Sequence, residues 1–407
     1  MKLKTLVYLS LLIFITWLAL AAQAQAFSVI YSFKGGAFDG TSPMSGVTIK
    51  GGVLYGVTVG GGISCGGNRT CGTVYQLTHA GAEWVESPIV RFPSSNGGMM
   101  PVARVRFGPD GHLFGTTNGS WSGFGSVYRL TPPFSICKTT ACLLWAATDI
   151  HTFSGSDGIS PGYGDLIWDQ AGNIYGTTGD IDNGCGTVFK MTGSGDNWTE
   201  TPIYVFTGLH HDGCYPQDGI AMDSNGNLFG TNSHLGDDFY GTVWELTYDP
   251  RAGWTEATLY TFTGGSDGGA PYAGLLIDSS GNLYGATTSG SQGPAIFELS
   301  PTGTKWTFKV LANIPGCSQG PFVSLTMDAT DNLYGTGYTC GANNLGNIFK
   351  LTNTRNGWVY TSLHDFTGGD DGEYPISSVS IDTDGTLYGV ASGGGSSDNG
   401  VVWMIKP

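Results

Sequence analysis

Large apolar residues recur two apart in seven short stretches of the chain: Val47 and Ile49, Val105 and Phe107, Leu166 and Trp168, Ile220 and Met222, Leu275 and Ile277, Leu325 and Met327, Val379 and Ile381. Spacing of two puts alternate side chains on opposite faces of an extended strand. The other face opens with a small residue in most stretches, at Gly46, Gly219, Gly274, Ser324 and Ser378. A large face opposite a small one is what packing one sheet on the next requires.

Each stretch leads into one repeated phrase: Leu54-Tyr55-Gly56, Leu113-Phe114-Gly115, Ile174-Tyr175-Gly176, Leu228-Phe229-Gly230, Leu283-Tyr284-Gly285, Leu333-Tyr334-Gly335 and Leu387-Tyr388-Gly389. Successive aromatics stand 59, 61, 54, 55, 50 and 54 residues apart, so one unit of about fifty-five residues repeats and its loops vary in length. Between first run and phrase lies Asp-x-x-Gly-Asn, as at 278–282 and 223–227. There Gly supplies a positive φ and the Asp side chain accepts from turn amides, which predicts a tight hairpin.

Two further runs complete each unit. Five fourth strands begin with Trp and carry Phe eight residues later: Trp84 and Phe92, Trp145 and Phe153, Trp198 and Phe206, Trp254 and Phe262, Trp358 and Phe366; the strand at Trp306 departs from this rule. The seventh unit stops after its third strand, "GVVWMIKP", while "FSVIYSF" near the start has fourth-strand phase and ends at Phe33. The expectation is an all-β fold: a seven-bladed β-propeller of four-stranded antiparallel blades, closed by the N-terminal strand, which hides two edges.

Composition fits this reading: 67 glycines and 12% charged residues argue for turns and strands over helix. Residues 1–26 differ in kind. Lys2 and Lys4 precede an apolar run from Leu6 to Ala22 and then "AQAQA", the pattern of a secretory signal cleaved after Ala26. An uncleaved membrane anchor is the alternative, disfavoured because no linker separates Ala26 from the closing strand. Residues 27–407 are expected to form a single, monomeric propeller domain, without membrane association after cleavage. Loss of Lys2 and Lys4 takes the formal charge from −15 to −17. Nucleic acid and anionic lipid, which need a basic footprint, are excluded as partners.

The Leu-Tyr-Gly-Thr-Thr core, "CGTVFKMT", "YGTVWELT" and "FTGGSDGGAP" resemble the GloVer tandem-repeat proteins, secreted bacterial proteins with glycine-rich repeats and varied C-terminal anchors. The resemblance covers essentially the whole mature chain. It implies export to the periplasm or beyond and lends no catalytic residues. After the last strand only Lys406 and Pro407 remain, so no sorting tail is expected.

Eight cysteines behind an export signal predict disulfides. Cys65 and Cys71 share a loop, and Cys137 and Cys142 share an insertion. Repeat phase pairs Cys185 with Cys214 and Cys317 with Cys340, since each couple joins a loop after a second strand to an inter-blade loop on the same face. Metal ligation is the competing reading, but no close CxxC spacing supports it.

Function should live on that face. Asp39, Asp157, Asp212, Asp267 and Asp371 occupy five inter-blade loops, either as turn formers or as a ring of oxygen ligands for calcium. Arg104 and Asp165 replace the small residue that opens other first strands, which marks an ion pair at the channel or a pair that orients a polar ligand. His210, His211 and Asp212 in one loop, with His234, Asp237 and Asp238 in the next, could converge on a transition metal or act as acid and base, or be solvated loop residues. Trp121, Phe124, Tyr215, Phe239, Tyr240, Tyr272 and Tyr374 would suit stacking on sugar rings. The expected function is a secreted module that binds polysaccharide, another polar ligand or an extracellular protein. A polysaccharide-active hydrolase or lyase, metal-assisted or not, is the alternative, and an assembly scaffold stays open. No nucleophile elbow or metalloprotease motif is present, and the candidate cofactors are calcium or a transition metal, neither fixed by the sequence.

Overall fold

The computed structural model describes residues 26–406 apart from 67–68, 93–99, 120–122, 134–143, 183, 210 and 323. Seven antiparallel sheets each correspond to one repeat, and no helix occurs among the described residues. They form a seven-bladed β-propeller. Blade 5 is representative: Leu276–Ile277 innermost, then Leu283–Ala286, Ala295–Thr302 and Lys305–Asn313 at the rim. In blade 7 the rim strand is Ala26–Ser32, which pairs with Val401–Lys406 so that Phe27 faces Ile405. Ring closure by the N-terminal strand is thus as the repeat phase implied. The strand starts at Ala26, the residue expected to end the leader, which pairs with Lys406.

The repeated phrase has a packing cause at each position. Its glycine lies opposite the aromatic of the third strand in every blade: Gly56 with Tyr75, Gly115 with Tyr128, Gly176 with Phe189, Gly230 with Trp244, Gly285 with Phe297, Gly335 with Phe349 and Gly389 with Trp403. A Cβ at any of these glycines would lie inside the neighbouring ring. The phrase aromatic meets the rim Trp of the next blade edge-on, from Phe229 and Trp306 at 5.8 Å between centroids to Tyr175 and Trp254 at 6.4 Å. Trp306 therefore keeps its role, and buried Ile314 replaces the rim phenylalanine. The following threonine reaches the next blade: Thr177 Oγ1 donates to the Asp218 carbonyl at 3.0 Å, Thr231 to Ala273 at 2.9 Å, and Thr336 to Ser377 at 2.9 Å.

The hairpin aspartate is equally explained. Asp278 accepts from the Ser280 and Asn282 amides at 2.8 and 2.9 Å, from Asn282 Nδ2 at 2.8 Å and from the phrase hydroxyl of Tyr284 at 3.1 Å. At the equivalent Asp328, burial works against ionisation, but hydrogen bonds from Asn332 and Thr330 outweigh it and hold the carboxyl well below its usual range.

Innermost strands are shorter than the alternation implied, only two paired residues in blades 2 to 7. The backbones crowd at the axis: a Cβ on Gly274 would press on the Gly219 carbonyl and on Ser324 of the two flanking blades. The small face therefore serves the ring closure around the axis.

Disulfides join Cys185 to Cys214 and Cys317 to Cys340, as repeat phase required. Cys137 and Cys142, and the side chain of Cys65, lie outside the described residues; Cys71 is buried.

Candidate functional site

The face bearing the inter-blade loops is built by a recurring strained residue. Ser42, Met100, Ser160, Tyr215, Ala270 and Tyr374 each precede a proline and hold φ between 50° and 64°. That left-handed backbone costs a bulky residue on the order of 1–3 kcal/mol. It turns the amide into the preceding blade: Tyr215 N donates to the Cys185 carbonyl at 2.8 Å, Ala270 N to Tyr240 at 2.8 Å, and Tyr374 N to Leu345 at 2.7 Å. The carbonyl of the same residue accepts from its own blade, as Ser233 N to Tyr215 at 3.2 Å. Each such residue staples two blades, and the Cys185–Cys214 disulfide reinforces the joint beneath Tyr215.

Two residues beyond each of five prolines' predecessors, and at the matching place in blade 3, side chains ring the channel mouth. Met44, Tyr163, Gln217, Tyr272, Phe322 and Ile376 line a cavity of about 230 Å³, mostly apolar. Below it the axis is crossed by charge. Arg104 Nε donates to both Asp165 oxygens at 3.1 and 3.0 Å, its Nη2 also reaches Asp165, and its Nη1 meets Ser380 Oγ at 3.3 Å. Arg106 Nη1 adds a contact to Asp165 at 2.7 Å. Burial alone would raise the Asp165 carboxyl; the two guanidiniums outweigh it and hold it low.

From blade 4, Asp218 reaches across to accept from Gly274 N at 2.6 Å and Ser324 Oγ at 3.2 Å. Its burial, with further repulsion from Asp165, pushes it up to about 6 against the amide bonds that favour ionisation. On the far side of this layer a second cavity of about 430 Å³ opens, lined by Arg104, Arg106, Thr48, Thr326 and Ser380 among others.

The five loop aspartates lie one per seam, each facing a Tyr or His of the preceding rim strand, and four of them are bonded to it. Tyr31 donates to Asp39 at 2.9 Å and Tyr260 to Asp267 at 3.0 Å; His151 meets Asp157 at 3.1 Å and His364 meets Asp371 at 2.9 Å. At the fifth seam Tyr204 faces Asp212, and burial together with that carboxylate raises the phenol's pKa. The carboxylates also take loop amides, such as Thr263 N at 2.8 Å and Thr207 N at 2.9 Å. The two seams without an aspartate carry Val90 and Ala312 at the donor position.

Among the described residues of the two histidine loops, the side chains point to separate partners. His210 lies outside the described residues. Exposed His211 pairs with Asp237, while Asp212 turns inward to Thr207. His234 Nδ1 meets Ser233 Oγ at 2.9 Å, and Asp238 is exposed. Among the described residues, the one group of three His, Cys, Asp or Glu whose ligand atoms lie within 4.8 Å of one another is His151, Asp157 and Glu200, at the rim.

His234 belongs instead to an aromatic arc. Centroids step from Tyr215 to His234 at 5.5 Å, to Tyr272 at 5.9 Å, to Phe322 at 5.5 Å, to Tyr338 at 5.3 Å and to Tyr374 at 5.2 Å. It spans blades 4 to 7 beside the channel mouth. The hydroxyls of Tyr215, Tyr272, Tyr338 and Tyr374 take no hydrogen bond among the described residues, unlike the tyrosines that bond aspartates in the hairpins and seams. Tyr240 and Phe239 stand outside the arc and are exposed, with the Tyr240 ring over Gly264; Phe124 lies at the border of exposure, and Trp121 lies outside the described residues.

Sequence reasoning missed Asp218, Arg106, Phe322 and Tyr338. Asp218 had a signal: it stands one residue before the small position, where other blades carry Ser45, Ala103, Gly164, Ala273, Val323 and Ser377. Phe322 and Tyr338 had none, because a loop aromatic reads alike whether it packs or projects.

A repeat propeller with an aromatic, loop-built face is the class that fold and site define. The chain belongs to the Gloeobacter/Verrucomicrobia repeat family, whose model matches residues 63–252 and 234–407. No curated protein matches it. Among solved structures it is similar to a polysaccharide lyase of the PL25 ulvan lyase family, at 10% identity, 92% coverage of this chain, 94% of the other and a TM-score of 0.53. The same family bound to -[GlcA(1-4)Rha3S]- matches at 11% identity with the same coverages and a TM-score of 0.51. A protein from Lactobacillus plantarum matches at 14% identity, covering 79% of this chain and 84% of its own, with a TM-score of 0.50. At these identities the likeness is one of fold. The two disulfides fit an oxidising compartment, and no helix among the described residues is long and apolar enough to cross a membrane.

Proposed function

We propose that this protein is a secreted carbohydrate-binding module whose ligand lies on the inter-blade loop face. The observation that carries this is the aromatic arc from Tyr215 to Tyr374, with four phenol hydroxyls that take no hydrogen bond among the described residues beside an apolar cavity. Rings that present a flat apolar face and a polar tip match the alternating C–H and O–H surface of a sugar.

The test is affinity electrophoresis of the mature protein through gels containing soluble polysaccharides, with Tyr272→Ala and Tyr338→Ala as variants. Retardation by at least one polymer, lost in both variants at unchanged melting temperature, supports the reading. Equal mobility in every gel would remove it. Two solved structures of this fold belong to one polysaccharide lyase family, so the retarded polymer should also be assayed for new chain ends. Binding without cleavage is the expected result; turnover would make the face an active site.

A further inference from the structure

We propose that a polar cavity between blades 2, 3 and 4 is a pyranose subsite and that the glycan it reads is neutral; the inference rests on the carbohydrate-binding reading above. The cavity, about 260 Å³, adjoins the channel mouth through Tyr163 and Gln217 and is lined also by Asn118, Ser160, Asp180 and Tyr215. It exists because blade 3 is built differently. Pro161 to Asp169 is one residue longer than Pro216 to Asp223 or Pro271 to Asp278. The extra residue sits at a crowded spot, where a Cβ on Gly162 would strike the Gln217 carbonyl.

The lining asks for hydroxyl donors. The Asn118 side-chain amide is engaged with the phenol of Tyr163 and its backbone N–H donates to the Met100 carbonyl at 3.0 Å, while its buried Oδ1 has no hydrogen-bond partner among the described residues. Buried acceptors are normally satisfied, so an unpaired one in a cavity wall takes a donor from water or from a ligand hydroxyl that displaces it. Asp180 Oδ1 accepts from Ile181 N at 2.8 Å, which leaves its other oxygen for the cavity. The Gln217 carbonyl is taken by Tyr163 N at 2.7 Å, and its side-chain amide has no partner among the described residues. Tyr215, held at φ 64°, closes one side with a ring that is 36% exposed. Sugar hydroxyls donating to a carboxylate make strong charge-assisted bonds, and the ring takes the C–H face.

Charge then selects among sugars. Among the described residues no Lys, Arg or His lines the cavity, and Asp180 does. A uronate or sulfate there would face a carboxylate with no cation to pair it, on a chain of formal charge −15. The arginines that could have served, Arg104 and Arg106, lie below the channel mouth and are engaged with Asp165. The subsite therefore differs in chemistry from one for a sulfated uronate polymer.

The experiment compares gels of neutral probes (laminarin, xylan, galactomannan) with acidic ones (alginate, polygalacturonate) for wild type, Asn118→Ala, Gln217→Ala and Asp180→Asn, with melting temperatures recorded for each. Retardation by a neutral polymer only is expected, weakened about tenfold or more by Asn118→Ala and by Asp180→Asn. Gln217→Ala provides an independent reading should either of those unfold. Preferential retardation by an acidic polymer overturns the proposal. Neutral binding that is lost in Tyr272→Ala yet unchanged in all three cavity variants overturns the subsite while leaving the arc as the binding surface. No retardation by any polymer overturns both.

Discussion

The phenol of Tyr260 donates to the carboxylate of Asp267 across the turn that leaves the rim of blade 4, at 3.0 Å. Five seams have such a donor and an aspartate, and the two that lack the donor lack the aspartate. Co-occurrence of this kind inside one chain marks the aspartates as ties between rim strand and loop. Replacing Asp267 with Ala removes bonds to Tyr260, Thr263 N and Thr263 Oγ1 and should lower stability by roughly 1–3 kcal/mol, read by chemical denaturation. Excess calcium should leave the melting temperature of wild type unchanged; a rise reversed by chelator would mean that these carboxylates hold a metal as well.

Glycine in the repeated phrase makes a sharper prediction. Gly285→Ala puts a methyl group into the Phe297 ring and should destabilise by about 1–3 kcal/mol, as overpacking does. Pairing it with Phe297→Val, which vacates that space, should give a double variant less destabilised than the sum of the singles. Strict additivity would mean that glycine is needed there for another reason.

This pairing indicates how legible the fold was. The phrase, its hairpin aspartate and the phase of "FSVIYSF" were enough to number the blades and close the ring, because the glycine–ring contact of the phrase recurs in all seven blades and the hairpin aspartate in five. Position within a loop is different. Tyr240 and Tyr272 are both aromatics of loops on this face, yet one is exposed over Gly264 and the other packs edge-on against His234 and Phe322. Whether a loop aromatic packs or projects depends on neighbours from two other blades, and no local pattern encodes that. Symmetry breaking did point to Arg104 and Asp165, while Asp218, one residue out of phase with them, escaped it.

Breaking the axial pair should be costly. Arg104→Met leaves Asp165 with only Arg106 and should destabilise by about 3–5 kcal/mol, whereas Arg104→Met with Asp165→Leu should recover most of the loss. A single variant as stable as wild type would show that the pair contributes little to the fold.

Stability should also decline with rising pH above about 4. Asp218 is pushed from 3.8 up to about 6, and Glu86 and Glu200 from 4.5 up to about 8, all chiefly by burial. An acid whose folded pKa is raised binds its proton more tightly in the folded state, so the stability it contributes at low pH is lost as pH climbs from the unfolded to the folded value. For Asp218 the loss between pH 4 and 6 is on the order of 3 kcal/mol. Asp218→Asn should flatten that part of the curve, and Glu200→Gln the part between 5 and 8. Stability that rises steadily from pH 5 to 8 would contradict this.

Hydrogen exchange read by mass spectrometry, with and without a saturating retarded polysaccharide, tests the face assignment most directly. Protection should appear in peptides spanning 211–217, 232–240, 269–273 and 372–376, while the hairpins at 169–173, 278–282 and 328–332 on the opposite face exchange as before. Protection concentrated in those hairpins, or none in the loops at saturation, would contradict the assignment of the ligand to the aromatic arc.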